Sequence, residues 1–201
     1  MKLNGRPGRI AAAVRTYPIV SVPWRDFAAA ERGRNRTRAY TGFMAAQHDL
    51  ELPSAGEEDT RSVGERLGRE LKRGDVVLLS GELGAGKTCL TQGIGRGLAC
   101  GGQVNSPSFV LMNEYPGRET LFHVDLYRIE DVEDLDELGL WDYAEKGVLV
   151  IEWPERGAEI LPGDGLVVEL RPGALGPRSR TLRFIPRGPR GEELVASLGA
   201  A

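Results

Sequence analysis

The stretch DVVLLSGELGAGKTCLTQGI, from Asp75 to Ile94, limits the possible folds of this chain more than any other part of its sequence. Four consecutive apolar residues, at 76–79, indicate a strand that is covered on both faces. A glycine-rich turn follows directly, with the pattern Gly-x-x-x-x-Gly-Lys-Thr over Gly81–Thr88. Apolar residues then repeat at helical spacing from Leu90 to Leu98. A strand, a glycine-rich loop and a helix in this order are typical of a site that binds phosphate groups.

This pattern is the P-loop, and each residue type in it has a physical reason. Glycines adopt positive φ angles without strain, so successive N–H groups can point inward and bind an anion. Lys87 is expected to reach the β- and γ-phosphates of a nucleotide, and the Thr88 hydroxyl is expected to bind Mg²⁺. A glycine-rich turn can match the pattern by chance, but chance does not also supply the strand and the helix. The predicted nucleotide-binding residues of the loop are Gly81, Glu82, Leu83, Gly84, Ala85, Gly86, Lys87 and Thr88.

The remaining apolar segments predict an α/β protein with a P-loop NTPase-like, three-layer fold. VLVIEW, at 148–153, indicates a second buried strand. Strand patterns at 106–115 and 120–129 surround a turn, and those at 165–172 and 180–186 form a C-terminal β-hairpin. Because such strands alternate with helical patterns, we expect a mainly parallel sheet.

Two helices carry more specific predictions. The first is expected to start at a capping box formed by Ser62 and Glu65 and to end at Gly74. The second is an acidic amphipathic helix within 130–145, which is either a solvated face or a docking surface for a basic partner.

Charge divides the chain into a basic extension and an acidic remainder. The first 43 residues hold nine basic against two acidic residues, about +7, and the rest hold 17 against 27, about −10. We predict an N-terminal extension over 1–50, a P-loop ATPase domain over 51–188 and a C-terminal tail over 189–201. The extension is interpreted as disorder or as a start codon assigned too early, with Met44 as the true first residue; a transit peptide is the alternative. The net negative charge of the remainder disfavours a protein that binds nucleic acid by itself, because phosphate backbones are also negatively charged.

The cysteines and the hydropathy pattern bear on location. Cys89 and Cys100 form neither a disulfide framework nor a Cys-x-x-Cys pair, as expected in a reducing cytosol. No apolar run approaches the roughly 18 residues that span a bilayer. We therefore expect a cytoplasmic protein that does not enter a membrane.

Two acidic residues follow apolar strands, Asp125 in LFHVDL and Glu152 in VLVIEW. A P-loop enzyme needs a carboxylate near its metal ion, usually at the end of a neighbouring strand. Acids are also common at strand ends simply because they are solvated there, so the pattern leaves open which of the two serves the site. The segment NSPSF, at 105–109, is either an ordinary turn or a segment that senses the γ-phosphate.

Missing motifs narrow the class of P-loop protein. No Asn-Lys-x-Asp string is present to recognise guanine, which disfavours a Ras-like GTPase. No lid-sized insertion with clustered arginines is evident, which disfavours a small-molecule kinase. The predicted site suffices for ATP and Mg²⁺ and offers no place for a second substrate. Hydrolysis is therefore expected to act on a partner protein.

Five motifs carry a resemblance to a known family. They are GELGAGKT, SPSF followed by Leu111 and Tyr115, HVDLYR, ELGLWDY and IEWPER. Over residues 55–186, their order and spacing resemble the bacterial TsaE (YjeE) family. The resemblance implies a cytoplasmic ATPase that uses ATP and Mg²⁺ and is weakly active alone. It implies two partner proteins, TsaB and TsaD, which form threonylcarbamoyladenosine (t6A) at adenosine 37 of tRNA. It also implies that ATP hydrolysis drives the turnover of this pair and that the chain meets tRNA only through the complex.

The resemblance also implies roles for individual residues. Thr88 and Glu152 would bind Mg²⁺, and Asp125 would be needed for hydrolysis. The catalytic residues that it implies are Asp125, Glu152 and Lys87. The further nucleotide contacts that it implies are Thr60 and Trp153. The switch-like residues that it implies are Ser106, Pro107, Ser108, Phe109, Asp125, Leu126, Tyr127 and Arg128.

The chain departs from the family pattern at Ser108, where the family usually has threonine, and at Cys89, where it usually has a hydroxyl residue. Two rival functions remain. A small-molecule kinase would transfer phosphate to a metabolite faster than it releases phosphate. A nucleotide-gated binding module would bind ATP tightly without turnover.

Overall fold

The computed structural model describes residues 15–17, 49–107, 111–129, 139–157 and 164–200. The strands are β1 (Arg15–Tyr17), β2 (Leu50–Ser54), β3 (Val76–Ser80), β4 (Met112–Tyr115), β5 (Leu121–Asp125), β6 (Val148–Glu152), β7 (Gly165–Pro172) and β8 (Arg180–Arg187). The helices are α1 (Glu57–Glu70), α2 (Lys87–Gly97), α3 (Leu140–Ala144) and α4 (Gly188–Ala200), with a 3₁₀ turn at Pro154–Arg156.

The strands form one sheet in the order β1-β4-β5-β6-β3-β7-β8-β2. The four central strands, β5, β6, β3 and β7, are parallel to one another. The outer pairs are antiparallel, including the hairpins β4–β5 and β7–β8. The predicted α/β fold and both hairpins are confirmed, and the parallel part of the sheet is its centre. Because Glu152 is in register with Leu79 on one side and Asp125 on the other, the ends of β3, β6 and β5 lie side by side.

Helices cover both faces of the sheet, as a three-layer fold requires. In β3, Val77 and Leu79 belong to the core cluster that includes residues of α1, α2 and α4. Val76 and Leu78 point the opposite way, into a second cluster with residues of α3. This alternation explains why β3 is apolar at every position except its last.

Helices α1 and α2 touch along a seam of glycines. Four glycines form the seam: Gly64 and Gly68 in α1, and Gly93 and Gly97 in α2. A Cβ atom at any of them would lie under 3.0 Å from a carbonyl oxygen of the other helix. Glycine weakens an isolated helix by about 1 kcal/mol per residue relative to alanine. The close backbone contact explains why α1 and α2 nevertheless contain these residues. It also fixes the position of α2, whose first residues are Lys87 and Thr88.

The start of α1 differs from the prediction. The helix begins at Glu57 and not at a capping box on Ser62, which lies within the helix. Three acidic residues, Glu57, Glu58 and Asp59, occupy the first turn, where the positive end of the helix dipole favours them. Gly74 lies beyond the helix end at Glu70, in the turn before β3.

The C-terminal segment also differs. The sequence predicts a tail over 189–201, but residues 188–200 form α4, and its Leu194 and Leu198 belong to the larger core cluster. Arg190 in α4 makes a two-pronged ion pair with the buried Asp75, which lies directly before β3. The domain therefore extends to α4.

Some predictions fall outside the described residues. Of the extension over 1–50, the structure describes β1 and residues 49–50. Of the acidic helix within 130–145, it describes residues 139–145, which include α3. Among the described residues, no helix is long and apolar enough to cross a membrane.

Candidate functional site

The loop between β3 and α2 has the backbone geometry of an anion nest. Gly84 and Gly86 have φ angles of 76° and 106°, which residues other than glycine rarely adopt. Gly86 directly precedes α2, so the positive end of the helix dipole lies at the loop. The sheet packs tightly beneath, because a Cβ at Gly81 would come within 2.6 Å of the Leu170 carbonyl oxygen. The loop is therefore shaped to hold an anion at a helix N-terminus.

The side chain of Lys87 folds over its own loop. Its Nζ donates to the carbonyl oxygens of Gly81 at 2.6 Å and Glu82 at 3.0 Å. The same ammonium group lies 3.7 Å from the ring centroid of Trp153. Burial lowers the pKa of Lys87, although the negative charges of nearby acids, Glu152 foremost, oppose the shift. The cation is thus held beside the nest by neutral acceptors that an anion would readily replace.

Glu152 connects α2 to the buried centre of the sheet. Its two carboxylate oxygens lie 3.1 and 3.3 Å from the Thr88 hydroxyl, which donates to them. Its Oε1 also lies 2.8 Å from Nε2 of His123. Glu152 is 2% exposed and His123 is 0% exposed. Such a buried carboxylate requires these partners, because an unpaired buried charge is strongly unfavourable.

The tautomer of His123 follows from its second nitrogen. Nδ1 is buried and has no hydrogen-bond partner among the described residues. An unpaired acceptor is tolerated better than an unpaired N–H donor. The proton is therefore assigned to Nε2, which donates to Glu152 and fixes the orientation of that carboxylate.

Asp125 lies at the end of β5, next to Glu152 in the register. Its Oδ2 accepts a hydrogen bond from the Ser106 hydroxyl at 2.8 Å, and its Oδ1 accepts one from the backbone N–H of Tyr127 at 3.1 Å. One carboxylate thus contacts Ser106 of one predicted switch segment and Tyr127 of the other.

Trp153 directly follows β6 and has an unusual backbone. Its φ is 61°, which is rare for a residue other than glycine. Its N–H donates to the carbonyl oxygen of Leu79 at 3.1 Å, which ties it to the strand before the P-loop. Its ring lies 4.9 Å from the ring of Tyr127. Strained backbone of this kind is concentrated at functional sites.

Most predicted site residues line one cavity of about 530 Å³. The predicted residues in its wall are Leu83, Gly84, Ala85, Gly86, Lys87, Thr88, Ser106, Asp125, Tyr127, Arg128, Glu152 and Trp153. The cavity therefore brings together residues 83–88, the two strand-end acids and parts of both predicted switch segments.

The other predicted residues have different positions. Thr60 lines a second cavity, of about 210 Å³, beside the loop, and its hydroxyl donates to the Gly56 carbonyl oxygen. Gly81 and Glu82 contribute the carbonyl groups that hold Lys87. Leu126 is 0% exposed and packs in the second core cluster, and Pro107 is also buried. Ser108 and Phe109 lie outside the described residues.

Sequence reasoning missed three residues near the loop. His123 is buried and contacts Glu152, and no sequence pattern assigned it a role at the site. Glu57 lines both cavities, and the acidic run at the start of α1 was the signal that could have located it. Arg180 donates to carbonyl groups of the loop, and no local sequence pattern marks it.

The oxygen atoms at the base of the cavity fit a magnesium ion. Mg²⁺ prefers hard oxygen ligands and usually takes only one or two carboxylates from the protein, with phosphates and water completing the shell. Thr88 and Glu152 supply a hydroxyl and a carboxylate, and Asp125 lies on the next strand. In the described parts of the chain, no group of three or more His, Cys, Asp or Glu side chains is arranged to hold a metal ion. This donor set fits Mg²⁺ better than a metal bound by protein ligands alone.

Comparison with known proteins gives consistent matches. A family model described as "Threonylcarbamoyl adenosine biosynthesis protein TsaE" matches residues 54–180. The tRNA threonylcarbamoyladenosine biosynthesis protein TsaE of Treponema pallidum (strain Nichols) is 42% identical over 130 residues, covering 64% of this chain and 96% of that protein. The protein of the same name from Mycobacterium bovis is 44% identical over 147 residues, covering 68% of this chain and 86% of that protein.

A solved structure agrees with the sequence matches. The crystal structure of Bacillus subtilis YdiB superposes with a TM-score of 0.66 at 31% sequence identity, covering 77% of this chain and 96% of that chain. The family match includes the P-loop, both strand-end acids and Trp153. The chain therefore belongs to the TsaE family.

Proposed function

We propose that this chain is a cytoplasmic Mg²⁺-dependent ATPase subunit of t6A synthesis, which hydrolyses ATP to drive turnover of the TsaB–TsaD pair on tRNA. The observation that carries the proposal is the arrangement around the P-loop. Lys87, Thr88, Asp125 and Glu152 all line a cavity of about 530 Å³ beside an anion nest. The names of the TsaE relatives, which refer to tRNA threonylcarbamoyladenosine biosynthesis, support the biological role.

Lys87 is prepared to meet the phosphates. Its ammonium group now binds two neutral carbonyl groups and the face of Trp153. A phosphate oxygen is a stronger acceptor than a carbonyl, because the hydrogen bond is then charged on both sides. Lys87 would therefore exchange these contacts for hydrogen bonds to the β- and γ-phosphates. There it would neutralise the charge that develops as the terminal phosphoryl group leaves.

Thr88 and Glu152 would hold Mg²⁺, which when bound neutralises phosphate charge and orients the terminal phosphoryl group. His123 restrains Glu152 from the buried side through the 2.8 Å contact, so the carboxylate faces the cavity with little freedom.

Asp125 would orient the attacking water and report the state of the nucleotide. Its two oxygens hold Ser106 and the backbone of Tyr127, one from each switch segment. Loss of the terminal phosphate would alter these contacts and so change the surface that the partner proteins meet.

The test is phosphate release from Mg-ATP by the purified chain, alone and with the TsaB and TsaD proteins of the same organism. We expect marked stimulation by the pair. Lys87→Ala should abolish nucleotide binding and hydrolysis, whereas the control Lys72→Ala, at an exposed lysine, should leave both unchanged. Asp125→Asn should retain binding and lose hydrolysis by about 10²-fold or more.

Two results would contradict the proposal. Equal loss of ATP affinity in Lys87→Ala and Asp125→Asn would refute the division of roles between these residues. Transfer of labelled γ-phosphate to a metabolite, at a rate above phosphate release, would favour a small-molecule kinase.

A further inference from the structure

Arg180, the first residue of β8, reaches the P-loop across the sheet. Its Nε donates to the carbonyl oxygen of Ala85 at 2.9 Å, over a separation of 95 positions in the sequence. Its Nη2 donates to the carbonyl oxygen of Gly84 at 3.3 Å. Its Nη1 donates to the carbonyl oxygens of Ser179 at 2.8 Å and Pro177 at 3.4 Å, in the turn between β7 and β8. One guanidinium group thus joins the loop to the turn of the β7–β8 hairpin.

These bonds restrict the orientation of two peptide groups. In a planar trans peptide, the carbonyl and the following N–H point in opposite directions. Because Arg180 binds the Ala85 carbonyl oxygen, the N–H of Gly86 points away from Arg180. The preceding peptide is fixed at both ends, since its carbonyl, on Gly84, meets Arg180 and its N–H, on Ala85, donates to the Glu82 carbonyl oxygen at 3.0 Å.

The charge of Arg180 is also available to the loop. All four acceptors named above are neutral carbonyl oxygens, so none of these bonds neutralises its positive charge. Arg183 on the same strand is different, because it pairs with the carboxylates of Asp49 and Glu169. Arg180 lines the cavity of about 210 Å³ beside the loop, together with Arg178, Gly86 and the acidic residue Glu57.

We propose that Arg180 is a positioning residue that holds the Gly84 and Ala85 carbonyl groups away from the anion nest and prepares the P-loop for the phosphates of a nucleotide. The role differs from that of Lys87, which contacts the phosphates directly. A second, smaller contribution is the positive charge that it adds on the flank of the loop. The inference rests on the nucleotide-binding part of the proposed function.

The experiment compares Arg180→Gln and Arg180→Lys with the wild type in the full chain. Affinity for ATP and ADP is measured by calorimetry with Mg²⁺ present, and kcat is measured at saturating ATP. We expect Arg180→Gln to weaken binding of both nucleotides about tenfold or more, while kcat at saturation changes little. Arg180→Lys retains the charge without the forked geometry and should recover part of the loss. Hydrogen exchange of the 81–86 amides should rise in Arg180→Gln.

Two control variants separate positioning from general effects. Arg178→Gln removes a charge from the same cavity, and Arg183→Gln removes one from the same strand. Both should bind nucleotide nearly as the wild type does. The inference is overturned if Arg180→Gln binds as the wild type does, or if Arg178→Gln loses as much affinity.

The outcome also distinguishes the two proposals. A wild-type chain that binds no nucleotide would refute the proposed function and this inference together. A wild-type chain that binds nucleotide but does not respond to TsaB and TsaD would refute only the proposed function. If Arg180→Gln does not fold, Arg180→Lys supplies the comparison, and full wild-type affinity in that variant would refute the need for the forked geometry.

Discussion

Replacing Gly93 with alanine should force apart the two helices that support the P-loop. A Cβ at this position would lie under 3.0 Å from the carbonyl oxygen of Arg61 and 2.9 Å from the Cα of Gly64. Both obstacles are backbone atoms of α1, so a change of side-chain rotamer cannot relieve the overlap. Helices α1 and α2 must therefore move relative to each other.

Two opposing effects set the size of the change in the free energy of unfolding. Alanine favours a helix interior over glycine by about 1 kcal/mol. Overpacking a close interface costs about 1–3 kcal/mol, and sometimes more. Movement of α2 would also loosen the packing of Leu90 and Ile94, which are 0% exposed. Because rigid backbone opposes the new methyl group, we expect the steric cost to reach the upper end of this range, about 3 kcal/mol, which leaves a net loss of about 2 kcal/mol.

Urea denaturation followed by far-UV circular dichroism measures this loss. Gly199→Ala in α4 is the matched control, because its Cβ would meet only Leu50 methyl groups at 3.9 Å, an ordinary contact distance. The control should be unchanged or slightly more stable. If Gly93→Ala is as stable as the wild type, the explanation of the glycine seam by close backbone contact is refuted.

Three further predictions use other parts of the domain. Arg190→Ala leaves the buried Asp75 carboxylate without its ion-pair partner and should lower the free energy of unfolding by about 3 kcal/mol, measured by urea denaturation; an unchanged midpoint would contradict this. Burial raises the pKa of the Cys100 thiol to about 11, against an ordinary value of 9.0. In the Cys89→Ser variant at pH 8, a thiolate-specific reagent should therefore modify Cys100 about 100-fold more slowly in the native protein than in the unfolded chain. Equal rates would refute the shift. Nucleotide binding should change the fluorescence of Trp153 as the ammonium group over its ring departs, and the change should vanish in Trp153→Phe but not in Trp141→Phe.

Local patterns in the sequence were sufficient for the main elements and for most of the candidate site. The P-loop and the strand before it could be predicted because glycine content, apolar runs and spacing act over fewer than ten neighbouring residues. Asp125 and Glu152 could be selected because each follows an apolar strand. The start of α1 was misplaced because two helix-start signals competed, and the acidic turn at 57–59 prevailed over the capping box at Ser62.

The contacts between distant segments could not be predicted in the same way. The C-terminal helix was missed because the stability of α4 comes from tertiary packing of Leu194 and Leu198, and a short helix has little intrinsic stability. The glycines of α2 look unfavourable until α1 is placed against them.

The sequence by itself determined that this protein has a P-loop, and therefore where along the chain its candidate phosphate site lies. Only the tertiary structure decided that His123 restrains Glu152 and that Arg180 holds the loop. The physical reason is that strand order and register bring these side chains together over separations of 29 and 95 positions. Periodicity and turn chemistry act over a few residues and carry no information about which strands become neighbours.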